Sequence, residues 1–240
     1  MSIDTTSTIG QLVAEKPSRA RLFEKLGIDY CCGGKRPLAE AAAAKGLDAN
    51  TIALTLEAAE SVNAGQTAEQ DWTTAPMGEL IDNILVEHHA YLREEMPRIT
   101  FLTEKVANAH GDRNGKLLDV AAVFAEVRAE LEAHMMKEEQ VLFPLIRRIE
   151  SGETSGFHCG SVRNPIAVME AEHDSAGNAL EALRDRTDNF TVPEWGCNTY
   201  RAMLDALETF ESNMHTHVHK ENNILFPRAI AAEGAVPVAA

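Results

Sequence analysis

HMMKEEQVLFP at residues 134–144 and HVHKENNILFP at residues 217–227 are one motif written twice. Their His, Lys, Glu, Leu, Phe and Pro fall in matching places 83 residues apart, and upstream His89 and His173 are separated by 84. The second half of residues 77–232 therefore repeats the first. Residues four apart on an α-helix share a face, one turn along. His134 with Glu138, and His217 with Glu221, can thus each aim an imidazole and a carboxylate at one interior point. Each half reads as a helix hairpin, with one interior His on its first helix and a His-x-x-x-Glu pair on its second. Two such hairpins predict an all-α protein built on an up-down-up-down four-helix bundle.

Working outward, the long helical patterns cover approximately 77–109, 115–150, 162–187 and 193–231. SGETSGFHCGSVRNP (151–165) is a loop by its Gly and Pro content. Pro144 and Pro227, each six residues beyond Glu138 or Glu221, are expected to kink or end their helices. Residues 1–60 read as a small helical domain of short pieces broken by Pro17, Gly27, Gly33, Gly34 and Gly46, with Pro37 opening the third helix and Asp48 capping the fourth. SVNAGQTAEQDWTTAP (61–76) reads as a flexible linker across which this module could swing. Residues 77–232 form the bundle.

The composition, 45% apolar and 5% aromatic, favours helices. A formal charge of −15 and a pI near 5.0 exclude nucleic acid and anionic membranes as natural partners, since both need a positive footprint. The N-terminal MSIDTTSTIG has no basic stretch followed by an apolar run, and no window is long and apolar enough for a membrane span; a cytoplasmic location is expected. The four cysteines do not make a disulfide framework, and Cys31 and Cys32 are adjacent. In a reducing compartment they are thiols with redox or metal chemistry.

Four histidines and two glutamates in two equivalent sets are too many ligands for one zinc ion. They suit two metal ions, with both Glu carboxylates bridging, two imidazoles terminal on each ion and a small oxygen between them. Imidazole also accepts Zn, Cu and Ni, but carboxylate–His pairs buried in a bundle are a recurring di-iron arrangement. Helical phase chooses among neighbours. His89 shares a face with Ile81, Leu85, Leu92 and Met96, whereas His88 is rotated by about 100° and is assigned to the surroundings of the site or to solvent. His215 and His219 point away from the His217 stripe and are left out. His110 and His158 read as solvated, and Cys159 and Cys197 have no partner at metal spacing.

HMMKEEQVLFP, VMEAEHD, HVHKENNILFPRA and the N-terminal GIDYCCGG together resemble the iron-sulfur cluster repair di-iron proteins, the Repair of Iron Centres family, over essentially the whole chain. The resemblance implies a hemerythrin-like domain holding two non-haem irons bridged by two glutamates and an oxo or hydroxo group. It implies a role in restoring clusters damaged by nitric oxide or oxidants. It places the ligands on His89, His134, Glu138, His173, His217 and Glu221, and the family's paired cysteines on Cys31 and Cys32. Partners implied are proteins with damaged clusters, with nitric oxide or oxygen as small ligands and a homodimer as an allowed assembly. Donation of iron is the leading reading, nitric oxide binding or reduction the alternative, and gas sensing the weaker one because no output domain is recognisable. Oxygen carriers of related fold usually use an extra histidine and lack the Cys-Cys-Gly-Gly module. Gly33 and Gly34 would let a partner approach the thiols, and Lys35, Arg36 and a helix opening at Pro37 would favour thiolate.

Overall fold

The computed structural model describes residues 3–62, 70–153 and 157–235. Residues 63–69 of the expected linker and 154–156 of the expected loop lie outside these. Eight helices follow one another: α1 Ile9–Glu15, α2 Ala20–Lys25, α3 Leu38–Ala44 and α4 Ala49–Val62 in the N-terminal unit, then four long ones. The first, α5, joins Met77–Ile84 to Ala90–His110 through Leu85–His89; α6 joins Lys116–Lys137 to Phe143–Glu150 through Glu138–Leu142. Next, α7 spans Arg163–Arg186, and α8 joins Asn198–Lys220 to Phe226–Ala235 through Glu221–Leu225. The three joining segments are single π turns.

The long helices alternate in direction, as hydrogen bonds between their ends show. The first N–H groups of α5, from Met77 and Gly78, donate to the Glu150 carboxylate at the end of α6 (2.6 and 2.8 Å). Val162 N–H and the Ser161 hydroxyl, at the head of α7, donate to Glu233 at the end of α8 (2.8 and 2.7 Å). Glu150 and Glu233 are again 83 residues apart. The repeat thus supplies each hairpin with a carboxylate that satisfies the orphan donors of its own first helix and complements that helix's dipole.

A layer of polar side chains divides the bundle core. On one side Leu92, Met96, Phe124, Leu131, Met203 and Phe210 belong to one apolar cluster; on the other, Leu80, Ile84, Ile146, Ile166 and Phe226 belong to a second. The N-terminal unit closes its own core on Leu12, Phe23, Tyr30, Leu38 and Leu56. Pro37 does precede the third helix, and the Asp48 carboxylate accepts the Thr51 N–H at the start of the fourth (2.8 Å).

Three expectations are corrected. Pro144 and Pro227 neither break nor end their helices. The N–H of Phe143 bonds the carbonyl of Glu138, and that of Phe226 the carbonyl of Glu221, five residues back instead of four. The hydrogen-bond register therefore changes where the proline would have left a donor missing. Secondly, α8 begins at Asn198 and not at 193, because Asp188, Asn189 and Phe190 all adopt left-handed backbone and Pro193–Gly196 closes a turn. Thirdly, the N-terminal unit packs against α8. Asn223 Nδ2 donates to the carbonyls of Cys31 and Tyr30 (3.0 and 3.3 Å), and Lys35 pairs with Glu170 (2.7 Å). A Cβ at Gly10 or Gly34 would collide with the Asn223 side chain, so only glycine allows this approach. Within 70–76, the Arg228 guanidinium holds the carbonyls of Trp72 and Ala75 (2.7 and 2.5 Å).

Candidate metal centre

The polar layer brings together all six side chains singled out by the repeat. Their ligand atoms form two groups, His89, Glu138, His217 and Glu221 in one, His134, Glu138, His173 and Glu221 in the other, with the atoms of each group within 4.8 Å of one another. The two glutamates belong to both. Glu138 turns Oε2 to His89 Nε2 and Oε1 to His134 Nε2, each at 3.3 Å. Glu221 turns Oε1 to His217 Nε2 and Oε2 to His173 Nε2, each at 3.1 Å. Each carboxylate spans the two groups, and each group receives one His from each hairpin.

Whether these residues fit a cation can be tested from burial. Glu138 and Glu221 are 0% exposed. Neither oxygen of Glu138 has a hydrogen-bond partner, nor do Glu221 Oε2 and His89 Nε2. A buried carboxylate without donors costs several kcal/mol, on the order of the desolvation penalty of one ion, unless a cation balances it. The orphaned atoms face one another, so the donor set fits a pair of cations.

Three of the four imidazoles are oriented from behind. His89 Nδ1 bonds Glu139 (2.7 Å), His134 Nδ1 bonds Glu172 (2.8 Å) and His173 Nδ1 bonds Asn222 Oδ1 (2.8 Å), which leaves each Nε2 for the centre. Arg93 in turn holds Glu139, and Lys137 holds Glu172. His217 differs, since its Nδ1 has no partner and its ring is stacked 5.3 Å from the ring of His88, with 6° between planes. His88 is buried and hydrogen-bonded to Asn213 and Lys220; burial, with His217 and Lys220 nearby, pushes it down to about 3, so it is neutral. Phe143 stacks on His89 and Phe226 on His173. Glu139, Glu172 and Asn222 escaped the reading of the sequence. Yet Glu139 and Asn222 are related by the offset of 83, and Glu172 stands where His88 stands in the first half.

Electrostatics follow the geometry. Burial opposes charge on His134, but Glu138, Glu221 and Glu172 outweigh it and hold the imidazolium up to about 9. Burial also works against the Glu221 carboxylate, yet His217 and His173 keep it well below the usual range. A cation entering the layer takes the place of protons that these carboxylates otherwise attract.

Residues 80–229 match the hemerythrin HHE cation-binding domain, and residues 5–60 match ScdA_N, a domain of unknown function. The iron-sulfur cluster repair protein YtfE of Citrobacter koseri is 40% identical over 225 residues, covering 94% of this chain and 97% of that protein. YtfE of Escherichia coli O157:H7 and of Escherichia fergusonii match over the same extent with the same identity. The chain belongs to this iron-sulfur cluster repair family. Its hemerythrin domain binds non-haem iron, and the family's ScdA_N domain is the unit seated on α8.

That unit places the vicinal thiols of this family member beside the metal layer. Cys32 Sγ lies 3.4 Å from the carbonyl oxygen of His173. The expectation that basic neighbours favour thiolate at Cys31 is corrected. Lys35 is engaged by Glu170, and contact with Cys32, burial and the Asp29 carboxylate push the Cys31 thiol well up. His219 is buried with Nδ1 3.4 Å from the Tyr30 carbonyl, and His215 packs against the Tyr30 ring; both face the docked unit, outside the six-residue set. His110 and Cys197 are not independent. The His110 Nε2 to Cys197 Sγ distance is 3.3 Å where the end of α5 meets the start of α8.

No helix among the described residues is long and apolar enough to cross a membrane.

Proposed function

We propose that His89, His134, Glu138, His173, His217 and Glu221 hold two iron ions per chain, with both carboxylates as bridges, and that the protein supplies this iron to damaged iron-sulfur clusters of other proteins. The observation that carries the reading is Glu138, fully buried, with one oxygen turned to each histidine group and no hydrogen-bond donor on either. The family relationship gives the use, and the ligand geometry gives the store.

The chain's own residues bind and orient the cargo. Both glutamates offer one oxygen to each position, Glu139, Glu172 and Asn222 fix three imidazoles, and the apolar clusters on either side keep water from the layer. Bound there, iron is redox-active and exchangeable, with N/O ligands that protons can compete for. Cys31 and Cys32 stand on the path by which iron leaves, since their loop abuts the backbone of His173.

The test has two parts on one preparation. Metal analysis should find close to two irons per chain, and incubation with a cluster-depleted apo-enzyme under reducing conditions should restore its activity while the iron content of the donor falls. One tightly held zinc per chain, or iron retained while the client stays inactive, would overturn the reading.

A further inference from the structure

Outside the six-residue centre, the described residues contain one more set of side chains whose ligand atoms lie within 4.8 Å of one another: Asp29, Cys31 and Cys32. The two sulfurs are 3.9 Å apart, and Cys31 Sγ is 3.1 Å from Asp29 Oδ1. Both cysteines are free thiols at this separation. Two sulfurs each about 2.3 Å from one tetrahedral ion lie about 3.8 Å apart, so the observed spacing is that of a shared cation.

The carboxylate is held in place. Asp29 Oδ1 accepts the N–H groups of Cys31 and Cys32 (2.9 and 3.1 Å), and Oδ2 accepts that of Gly33 (2.8 Å). A cavity of about 120 Å³ opens at the sulfurs, and Glu170, Asp174 and Asn222 contribute to its walls. Three carboxylates around two thiols disfavour a bare thiolate and favour a cation. Asn222 also accepts the hydrogen bond of His173, so one side chain borders both this cavity and the metal layer.

We propose that Asp29, Cys31 and Cys32 form a third, mononuclear cation site that takes a borderline-soft divalent ion such as Fe(II) and serves as the station for iron passing between the buried centre and a client. Each thiol releases its proton to solvent as its metal–sulfur bond forms, with no change of oxidation state. The fourth position faces the cavity, open to water or to an incoming ligand of the client. The service as an iron station rests on the function proposed above; the existence of the site does not.

Cobalt(II) is the probe. Full-length, iron-loaded protein, kept reduced with a phosphine, is titrated anaerobically with Co(II) while its iron content is followed. One equivalent should bind with near-ultraviolet thiolate-to-cobalt charge transfer and the intense visible bands of tetrahedral cobalt, with the iron retained. Cys32→Ser, at a half-exposed position, should abolish the charge-transfer bands, and Asp29→Asn should weaken binding at least tenfold; both should keep the parent's iron content and helicity. Absence of thiolate bands in the parent, their persistence in Cys32→Ser, or unchanged affinity in Asp29→Asn would overturn the site. A parent that holds no binuclear iron yet shows the bands would overturn the proposed function alone, and a normal iron centre without them would overturn only this inference.

Discussion

Replacing Glu172 by Gln probes the metal layer from outside it. The Glu172 carboxylate accepts from His134 Nδ1 at 2.8 Å and takes Lys137 on its other oxygen. It therefore fixes the tautomer that presents Nε2 to Glu138 Oε1, 3.3 Å away. Loss of such a partner typically costs about 10- to 100-fold in metal affinity. The Glu172 side chain is 33% exposed, so solvent screening favours the lower end, about tenfold or roughly 1.4 kcal/mol. Protons complicate the reading in a useful way. Burial disfavours the charged form of His134, but Glu138, Glu221 and Glu172 together hold it up to about 9, so at pH 7 a proton competes with iron for this ring. Gln relieves part of that competition while it weakens the metal bond. Above pH 9 the ring is neutral in both proteins, and the whole difference in metal affinity shows. Iron release to a ferrous chelator should thus be faster in Glu172→Gln, by a larger factor at pH 9.5 than at pH 7, with little change in Tm of the loaded protein. Equal release rates at both pH values, or a larger deficit at pH 7, would refute the role given to Glu172. In the metal-free chain the sign reverses. The raised His134 contributes stability that is full below about 6.5 and is lost as pH rises through about 9.

Single substitutions His89→Ala and His217→Ala should each lower bound iron by half or more, whereas His215→Ala, which faces Tyr30, should retain it; metal analysis giving the inverse pattern would displace the centre. Gly34→Ala should drive Asn223 off the carbonyls of Tyr30 and Cys31, two hydrogen bonds worth about 1 kcal/mol each, and hydrogen exchange in 29–36 should rise while the six-residue centre keeps its iron. Unaltered exchange would mean that the N-terminal unit is not held by this contact. Cys197 is pulled down to about 7 by the His110 ring and by the N–H groups of Tyr200 and Thr199. Its alkylation by iodoacetamide, followed by peptide mass spectrometry, should be half-maximal near pH 7, and His110→Ala should move that midpoint up towards about 8.5. An unshifted midpoint would remove His110 as the cause.

Local periodicity and internal repetition made the bundle and the six-residue set legible. A His and a Glu four apart on a helix share a face wherever that helix goes, and the same pair 83 residues later requires a second hairpin of the same build. The charge of −15 likewise needs no fold to set nucleic acid aside. The phase argument reached the right neighbourhood but not every neighbour. It assumed an even α-helical period through Leu85, whereas the π turn at Leu85–His89 inserts one residue, leaves Leu85 half-buried and seats Ile84, five positions before His89, fully in the core. The same widened turn carries both His88 and His89 inward. Hydrogen-bond register within a helix is chosen by what the helix packs against, so a one-sequence pattern of apolar residues does not reveal it.

The remaining decisions belong to contacts between distant segments. Glu172 meets His134, Glu139 meets His89 and Asn222 meets His173 across helices; Glu150 and Glu233 cap helices more than seventy residues away in sequence. The seat of the N-terminal unit depends on two glycines giving way to Asn223, and the surroundings of Cys31 depend on that seat. Lys35 and Arg36 adjoin the thiols in the chain, but burial and Asp29 decide the charge at Cys31, because in a packed interior the nearest group through space outweighs the nearest group along the backbone.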